Sequence, residues 1–432
     1  MKEDFLHYIW QYKLFDPERL VTTSGEGVDI LHPGNHNKDS GPDFFSAKIV
    51  IENTIWAGNV EIHWYASEWN RHGHQYDASY HNVILHVVYE EDETVYNSRG
   101  ERLPAVELKN RIAATLIHRY KSFLSGQKWV PCAHLLHEVP RSVIYSFLQR
   151  MMVERLEEKS ALILREWERN SRSWEQTFYE FMARNFGFSV NALPFQLLAQ
   201  SLPVQVLAKH KDKEYQLEAL LFGQAGLLES EFTDAYPKQL QAEYSHLRKK
   251  FRLQPLSGSV WKFARMRPAN FPTLRIAEFA RLIHQSASLF SRVMEINSLK
   301  ELRAVFSLEV SGYWTEHYAF DRPSSHRPKS LGELSVDTIL INTVIPFLFV
   351  YGRQKDEASY RDRALDFLEK LRPEKNQVIS RWEELGIRAY HASDTQGLIH
   401  LKKRYCSAKK CLTCTVGNAI LKRQAYDTAD QT

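Results

Sequence analysis

The spacing of apolar residues changes near residue 110, and this change constrains the fold more than any other feature of the sequence. Before it, apolar and polar residues alternate in short runs separated by turn residues, which is typical of β-strands. After it, apolar residues recur every three or four positions, which is typical of amphipathic helices. The sequence therefore predicts an α+β protein. A small mixed α/β unit occupies residues 1–110 and a large all-helical region occupies 111–432.

The elements follow from the same spacing. A short helix is expected near Asp4–Tyr12, and Val83–Tyr89 is the strongest strand because its β-branched run is nearly continuous, as in strands buried on both faces. The other predicted strands are Val28–Leu31, Phe44–Ile51, Ile55–Trp56, Asn59–Tyr65 and Leu103–Leu108. Later helices are expected at 143–167, 174–185, 194–209, 214–228, 236–250, 272–290, 334–350, 357–371 and 375–385.

Composition excludes several classes of protein. The chain is 44% hydrophobic and 25% charged, which is globular, and its 4 cysteines fit a reducing compartment. The N-terminus is acidic and lacks an apolar signal region. The most apolar stretch, Ile339–Tyr351, is interrupted by Asn342 and Pro346 and is shorter than the roughly 20 residues that span a bilayer. We expect a cytoplasmic protein with no membrane partner.

The net charge of +4 conceals an uneven distribution. Residues 1–110 hold 9 Lys+Arg and 18 Asp+Glu, and the remainder of the chain is strongly basic. Eight of the 18 histidines also lie in the first 110 residues. This uneven charge distribution is consistent with an acidic segment that binds a cation and a basic segment that contacts an anion. Two ordinary solvated surfaces would produce the same distribution.

Two acidic residues are the first candidates for a site. Asp43 lies at the start of one predicted strand, and Glu61 and His63 share one face of the next because side chains alternate along a strand. If these strands pair, the two carboxylates converge, and a divalent cation such as Mg²⁺ or Mn²⁺ relieves their repulsion. His63 would then orient a water molecule, act as a general base or bind the metal.

This arrangement resembles the PD-(D/E)XK nuclease superfamily, whose core is a helix, three antiparallel strands, a helix and a strand. Pro42-Asp43 and Glu61-Ile62-His63 stand at the positions of its motif. The resemblance implies that Asp43 and Glu61 bind metal and that His63 replaces the family's lysine. The resemblance covers about the first 90 residues. It is compatible with three interpretations: an active nuclease variant, a variant whose base lies elsewhere in the chain, or an inactive nuclease fold.

Over its length the chain resembles the bacterial family known as domain of unknown function 2851, which brings no established activity. The segments that carry this resemblance are Gly41-Pro42-Asp43-Phe44, Val60-Glu61-Ile62-His63, His72-Gly73-His74, Asp77, the strand from Val83 to Val88, and the cysteine-bearing tail.

A second cluster follows the two acids. His72 and His74 flank a glycine, so a bent loop can direct both imidazoles inward, and with Asp77 they form a plausible ligand set for Zn²⁺, Mn²⁺ or Fe²⁺. The alternative is structural: Trp69 and Tyr80 fix the loop and the histidines bond backbone carbonyls.

Three of the four cysteines lie near the C-terminus. Cys406, Cys411 and Cys414 have C-x4-C-x2-C spacing, and Cys132 lies far upstream. This pattern suits a zinc site or an iron–sulfur cluster, with zinc favoured, and ordinary free thiols are the alternative. The flanking basic residues, such as Lys402 and Lys409, are expected to lower the thiol pKa values. By resemblance to some nucleases of the superfamily, the four cysteines would hold the tail back near Cys132.

A basic segment at 248–281 is the candidate nucleic-acid surface. It holds nine Lys/Arg and one acid, with aromatic residues between them that can stack on bases or pack in a core. The proposed contacts are Arg248, Lys249, Lys250, Arg252, Lys262, Arg265 and Arg267.

These features favour a metal-dependent phosphodiesterase that acts on DNA or RNA. Two alternatives remain: a non-catalytic nucleic-acid-binding or scaffold protein on a degenerate nuclease fold, and a His/Asp metalloenzyme that acts on a small molecule. Protein partners, substrate and pathway are not indicated by the sequence.

Overall fold

A computed structural model describes residues 3–37, 39–126, 128–286, 288–310 and 312–427. Its strands are β1 Val28–His32, β2 Asn35–His36, β3 Phe44–Ile51, β4 Thr54–Tyr65, β5 Val83–Glu90, β6 Ala105–Glu107, β7 Glu309–Val310, β8 His317–Ala319, β9 Arg322–Pro323 and β10 Lys329–Ser330.

The helices are more numerous than the strands. They are α1 Glu3–Gln11, α2 Glu68–Arg71, α3 Ala114–Ser125, α4 Arg141–Arg169, α5 Trp174–Phe186, α6 Ala192–Ser201, α7 Val204–Ala208, α8 Glu214–Gln224, α9 Ala235–Phe251, α10 Pro272–Gln285, α11 Leu289–Glu295, α12 Leu299–Val305, α13 Glu333–Ile339, α14 Ile345–Lys355, α15 Ala358–Lys370, α16 Gln377–Glu384, α17 Ala392–His400 and α18 Thr415–Asp427. The predicted α+β class is confirmed.

The chain forms two compact units. Met1–Phe147 and Leu401–Thr432 make up one, here called the terminal unit, and Leu148–His400 makes up the other, the central unit. The sequence placed a boundary at residue 110, where the sheet ends. That division into a nuclease-like domain and a helical domain stays a prediction.

The terminal unit contains a six-stranded mixed sheet in the order β1-β3-β4-β5-β6, with β2 also paired to β3. β1, β3 and β4 are antiparallel, whereas β5 runs parallel to β4 and β6 parallel to β5. Between β4 and β5 the chain forms only the short helix α2 and two turns of 3₁₀ helix. The strand β5 is buried along most of its length, as its apolar run predicted.

Helix α1 packs against this sheet because its apolar residues lie on one side. Phe5, Ile9 and Trp10 are fully buried, and the Phe5 ring stacks on Tyr120 of α3 with centroids 4.4 Å apart. The Trp10 indole N–H donates to the Pro33 carbonyl at 2.9 Å. This packing brings His7 to Asp43, which immediately precedes β3, at the site described below.

The predicted strands at 55–56 and 59–65 form one strand, β4. Gly58 permits this continuity because a Cβ atom there would lie 2.4 Å from Ile84 Cγ2 and 2.7 Å from the Asn82 carbonyl oxygen. Only glycine allows β4 and the start of β5 to approach so closely.

The central unit is mainly helical, with two small two-stranded sheets formed by β7–β10. Its apolar core includes fully buried Phe178, Phe195, Phe222 and Phe279. The single helix expected at 194–209 is two helices, because Pro203 lacks a backbone N–H and interrupts the hydrogen-bond ladder between α6 and α7.

One helix of the described chain, Glu333–Lys355, is long and apolar enough to cross a membrane by length and composition. Within the protein, 72% of its most apolar window is buried. It includes a turn of π-helix at Leu340–Val344. The core helix of a water-soluble protein meets the same criteria, so the finding is weak evidence for a membrane span.

Candidate metal centre

The structure brings Asp43 and Glu61 together. Asp43 immediately precedes β3, which pairs antiparallel with β4 so that Phe44 lies opposite Val60. The Asp43 backbone N–H donates to Glu61 Oε2 at 3.0 Å, and the Ile62 backbone N–H donates to Asp43 Oδ2 at 3.0 Å. Each carboxylate therefore has one oxygen fixed by a backbone donor, which sets the direction of the other.

Glu61 is a buried carboxylate at the centre of this group, with 4% of the residue exposed. Its Oε1 lies 3.3 Å from His74 Nε2 and 3.7 Å from His63 Nε2. Burial raises the pKa of Glu61, and the nearby Asp43 charge raises it further, against the opposing hydrogen bond from His74. A cation bound here would offset both the desolvation and the repulsion.

Three histidines present their ring nitrogens to the same space. The ligand atoms of His63, His72 and His74 all lie within 4.8 Å of one another. His63 is 2% exposed, and its Nδ1 lies 2.8 Å from His86 Nε2 on β5. Burial lowers the pKa of His63 to about 2 and that of His86 to about 3, so both imidazoles are neutral near pH 7, as metal ligation requires.

The loop between β4 and β5 positions the other two histidines. Gly73, between them, has a φ of +75°, a left-handed conformation that glycine adopts without strain and that bends the loop as expected. The His74 ring stacks on Tyr80 with centroids 3.8 Å apart, and it meets the Trp69 ring edge-on. Trp69 is buried and its indole N–H donates to the Tyr96 carbonyl, so these aromatics also fix the loop.

Asp77 occupies a different position from the three histidines. It is exposed, and its Oδ1 accepts a hydrogen bond from the Ser79 N–H at 2.8 Å. That bond caps a 3₁₀ turn and lowers the pKa of the carboxyl. Asp77 is not among the three residues whose ligand atoms converge within 4.8 Å. Its predicted role as a ligand stays a prediction, and His63 joins His72 and His74 instead.

His7 belongs to the site and was missed in the sequence. It lies on α1, 12% exposed, with Nε2 3.2 Å from Asp43 Oδ2. Burial lowers the pKa of His7, but the hydrogen bond and charge of Asp43, together with the charges of Glu3 and Asp4, outweigh burial and leave the pKa raised. The only available signal was its position on the predicted amphipathic helix, between the buried Phe5 and Ile9, and no motif marks that position as functional.

The four cysteines all lie in the terminal unit and are buried, and none of them forms a disulfide. Cys132 precedes a 3₁₀ helix, Cys406 ends a π-helical turn, and Cys414 precedes α18. The Cys414 sulfur accepts hydrogen bonds from the backbone N–H groups of Val416 and Gly417 at the start of that helix. The tail contacts the segment that follows Cys132, since Arg423 of α18 donates to the Glu138 carbonyl. The four cysteines are not among the described residues whose ligand atoms converge within 4.8 Å.

The thiol pKa values differ from the expectation. Burial raises the pKa of Cys411 to about 12 and raises those of Cys132, Cys406 and Cys414, and for all but Cys414 the neighbouring sulfurs add to the effect. Lys402 and Lys409 do lower the values for Cys406 and Cys411, but desolvation is the larger effect. The prediction that basic neighbours would lower them overall is therefore wrong for the metal-free thiols. A coordinated metal would reverse the direction, since it deprotonates its thiols.

Comparison with protein families matches residues 3–377 to the family described as Protein of unknown function (DUF2851). The chain belongs to this family. The matched range includes the acids and histidines of the candidate metal centre and Cys132, and it ends before the other three cysteines. No curated protein and no solved structure matches the chain.

All seven basic residues predicted to contact nucleic acid are exposed and belong to the central unit. Arg248, Lys249 and Lys250 form the last turn of α9, where they also complement the helix dipole. Arg252 follows that helix, and the remaining three lie before α10. Trp261, one of the aromatics between them, is buried in the core and donates to the Ala225 carbonyl at 2.8 Å, which makes it unavailable for stacking on a base.

Proposed function

We propose that the terminal unit is a metal-dependent phosphodiesterase that acts on nucleic acid. One observation carries this proposal: Asp43 and Glu61 meet at the edge of paired strands, beside three imidazoles whose nitrogens lie within 4.8 Å of one another. A bound divalent ion supplies Lewis-acid chemistry, polarising a phosphoryl oxygen and making water a better nucleophile.

The residues of the chain provide the geometry. Asp43 and Glu61 would hold the ion, each with one carboxylate oxygen fixed by a backbone donor, and His74 and His63 lie near the other Glu61 oxygen, Oε1. His63 is neutral and so would bind the metal, whereas a pKa lowered to about 2 makes it a weak proton acceptor. The order of helix, three antiparallel strands, short helical crossover and parallel strand supports the likeness to the PD-(D/E)XK superfamily.

The ligand types favour some ions over others. Carboxylates suit Mg²⁺ and Mn²⁺, whereas imidazoles suit Zn²⁺ and Fe²⁺ better. The proposal takes Mn²⁺ ahead of Mg²⁺, because Mg²⁺ is the harder ion and the set includes imidazoles as well as carboxylates. The exposed basic residues of the central unit are proposed to contact phosphates, which would make binding weaker as salt rises.

The test is cleavage of single- and double-stranded DNA and RNA in the presence of Mn²⁺ or Mg²⁺. Asp43→Asn and Glu61→Gln should each lower the rate by about 100-fold or more, because each removes a charge that holds the ion. Asp29→Asn, which changes an exposed carboxylate on β1, is the control and should leave the rate unchanged. Equal rates in all three variants would contradict the proposal.

A non-catalytic protein on a degenerate nuclease fold is the second candidate. It is favoured by His63, which is buried, bonded to His86 and neutral, and so does not supply the fixed positive charge of a lysine. This candidate predicts salt-dependent nucleic-acid binding without cleavage under any metal.

A metalloenzyme acting on a small molecule is the third candidate, and the three converging imidazoles favour it. It predicts hydrolysis of small chromogenic phosphodiesters or esters with Zn²⁺, Mn²⁺ or Fe²⁺ while polynucleotides remain intact. His74→Ala should abolish that activity.

We also propose that the four cysteines hold a Zn²⁺ ion or an iron–sulfur cluster. Four buried thiols, one of them bonded to two backbone N–H groups, are the support. Absorbance near 400 nm in protein purified without air would indicate a cluster, and stoichiometric zinc without colour would indicate the ion. Cys414→Ser should lose either one, and retention of full metal content in that variant would contradict the proposal.

A further inference from the structure

His86 is a fully buried histidine that contacts the candidate metal centre through His63. It lies on β5 in register with Glu61 of β4, so its side chain is on the same face of the sheet as Glu61 and His63. Strands β4 and β6 flank β5, and the His86 backbone N–H donates to the Pro104 carbonyl at 2.8 Å. Because the residue is 0% exposed, the sheet and the surrounding packing fix the position of its ring.

The two ring nitrogens of His63 face different groups. Nδ1 lies 2.8 Å from His86 Nε2, which is hydrogen-bond distance. Nε2 lies 3.7 Å from Glu61 Oε1, the same oxygen that is 3.3 Å from His74 Nε2. Nε2 is therefore the nitrogen that an ion at this centre would contact, and Nδ1 is the nitrogen that His86 contacts.

The hydrogen bond between the two rings decides whether His63 can bind a metal. Burial lowers the pKa of His63 to about 2 and that of His86 to about 3, so each neutral ring carries one N–H proton. If His86 donated this bond, the His63 proton would be on Nε2, and a protonated ring nitrogen has no lone pair for a metal. If His63 donates from Nδ1, its Nε2 keeps the lone pair on the side of Glu61 Oε1.

We propose that His86 is a positioning residue that accepts the Nδ1 proton of His63 and thereby makes His63 Nε2 a metal ligand. The inference rests on the metal centre of the proposed function. A histidine that binds a metal usually donates its other ring N–H to a carboxylate, a backbone carbonyl or a water molecule, which fixes its tautomer and its orientation. In this chain the acceptor is a second, neutral imidazole on the neighbouring strand.

This arrangement leaves one proton without an acceptor. When Nε2 of His86 accepts from His63, the proton of His86 is on Nδ1, which is buried and has no hydrogen-bond partner among the described residues. A buried N–H without an acceptor costs free energy, and the bond from His63 to the ion offsets this cost. Metal binding therefore favours the tautomer of His63 that carries its proton on Nδ1.

The first test is the affinity of the full chain for Mn²⁺, measured by electron paramagnetic resonance of the free ion. Mn²⁺ is chosen because soft thiolates do not favour it, so the cysteines contribute little to the titration. His86→Leu removes the acceptor and should weaken binding by about tenfold or more, whereas His86→Gln keeps an amide oxygen that can accept and should bind within about threefold of the unchanged protein. Val88→Ala is the matched control, because Val88 is buried on β5 opposite His63 and offers no acceptor. It should lower the melting temperature and leave the affinity unchanged.

The second test locates the proton. In ¹⁵N NMR of the zinc-bound chain with ring-labelled histidine, the His63 signals are assigned by comparison with His63→Gln and should show the proton on Nδ1. A proton on Nε2 of His63 would overturn the proposal, and so would unchanged Mn²⁺ affinity in folded His86→Leu. Equal losses of affinity in His86→Leu and Val88→Ala would also overturn it, because they would show a packing role alone.

The outcome for His86 is separable from the outcome for the proposed function. If the His86 variants behave as expected and the chain cleaves no nucleic acid, the phosphodiesterase proposal fails while the role of His86 stands. If cleavage depends on Asp43 and Glu61 but His86→Leu binds Mn²⁺ normally, only the role of His86 fails. Absence of Mn²⁺ binding by the unchanged chain would overturn this inference together with the metal centre on which it rests.

Discussion

His74→Ala is the substitution that examines the candidate metal centre most sharply. Its Nε2 is 3.3 Å from Glu61, and it is one of three histidines whose ligand atoms lie within 4.8 Å of one another. An ion at 100 times its Kd stabilises the folded state by about 2.7 kcal/mol. For a unit of about 180 residues this raises the melting temperature by roughly 5–10 °C. If loss of one imidazole lowers the affinity for the ion about 100-fold, the ion at the same concentration stabilises the folded state by only about 0.4 kcal/mol. The melting temperature then rises by roughly 1–2 °C.

The assay is thermal unfolding with EDTA and then with Mn²⁺ or Zn²⁺, and the quantity compared is the metal-induced shift. This comparison removes the stability that His74 contributes by stacking on Tyr80, which is lost in both conditions. His81→Ala, an exposed histidine on the same segment, is the control and should keep the full shift. A shift in His74→Ala as large as that of the unchanged protein would refute the reasoning.

Three further predictions concern stability. Burial raises the pKa of Glu218 from 4.5 to about 7, so the protonated carboxyl contributes stability below pH 4.5, and this contribution is lost as the pH rises to 7. The free energy of unfolding of Glu218→Gln in urea should therefore equal that of the unchanged protein near pH 4.5. At pH 8 it should be larger by up to roughly 3 kcal/mol. Gly58→Ala should destabilise the sheet by more than about 1 kcal/mol, because its Cβ would collide with Ile84 and the Asn82 carbonyl, and an unchanged melting temperature would contradict this. Arg303→Ala should cost roughly 3 kcal/mol in urea unfolding, since it leaves the buried carboxylate of Asp337 without its two-bond partner, and a cost below 1 kcal/mol would count against the account.

The sequence was a good guide where structure depends on local spacing. The spacing of apolar residues along the chain predicted the change from strands to helices near residue 110. It also predicted the buried strand β5 and most of the helices. The pairing of Asp43 with Glu61 was also predictable, because consecutive strands joined by a short turn usually pair and the two residues lie near the open end of that pair.

Contacts between distant segments were less accessible. His7 reaches Asp43 only because α1 packs on the sheet, and no local pattern records that packing direction. Helix α17 was missed for another reason. Four consecutive polar residues in it, from Ser393 to Gln396, are buried, so the helix lacks the apolar stripe on which periodicity depends. A helix that buries hydrogen-bonded polar side chains cannot be recognised from the periodicity of its apolar residues.

The most direct measurement of the central claim is the metal content of protein purified without air, compared between the unchanged chain and a His72→Ala/His74→Ala double variant. Both proteins retain the four cysteines, so any metal bound there contributes equally to the two measurements. If His63, His72, His74 and Glu61 hold an ion, the double variant contains one fewer metal ion per chain. Equal metal content in the two proteins would contradict the account.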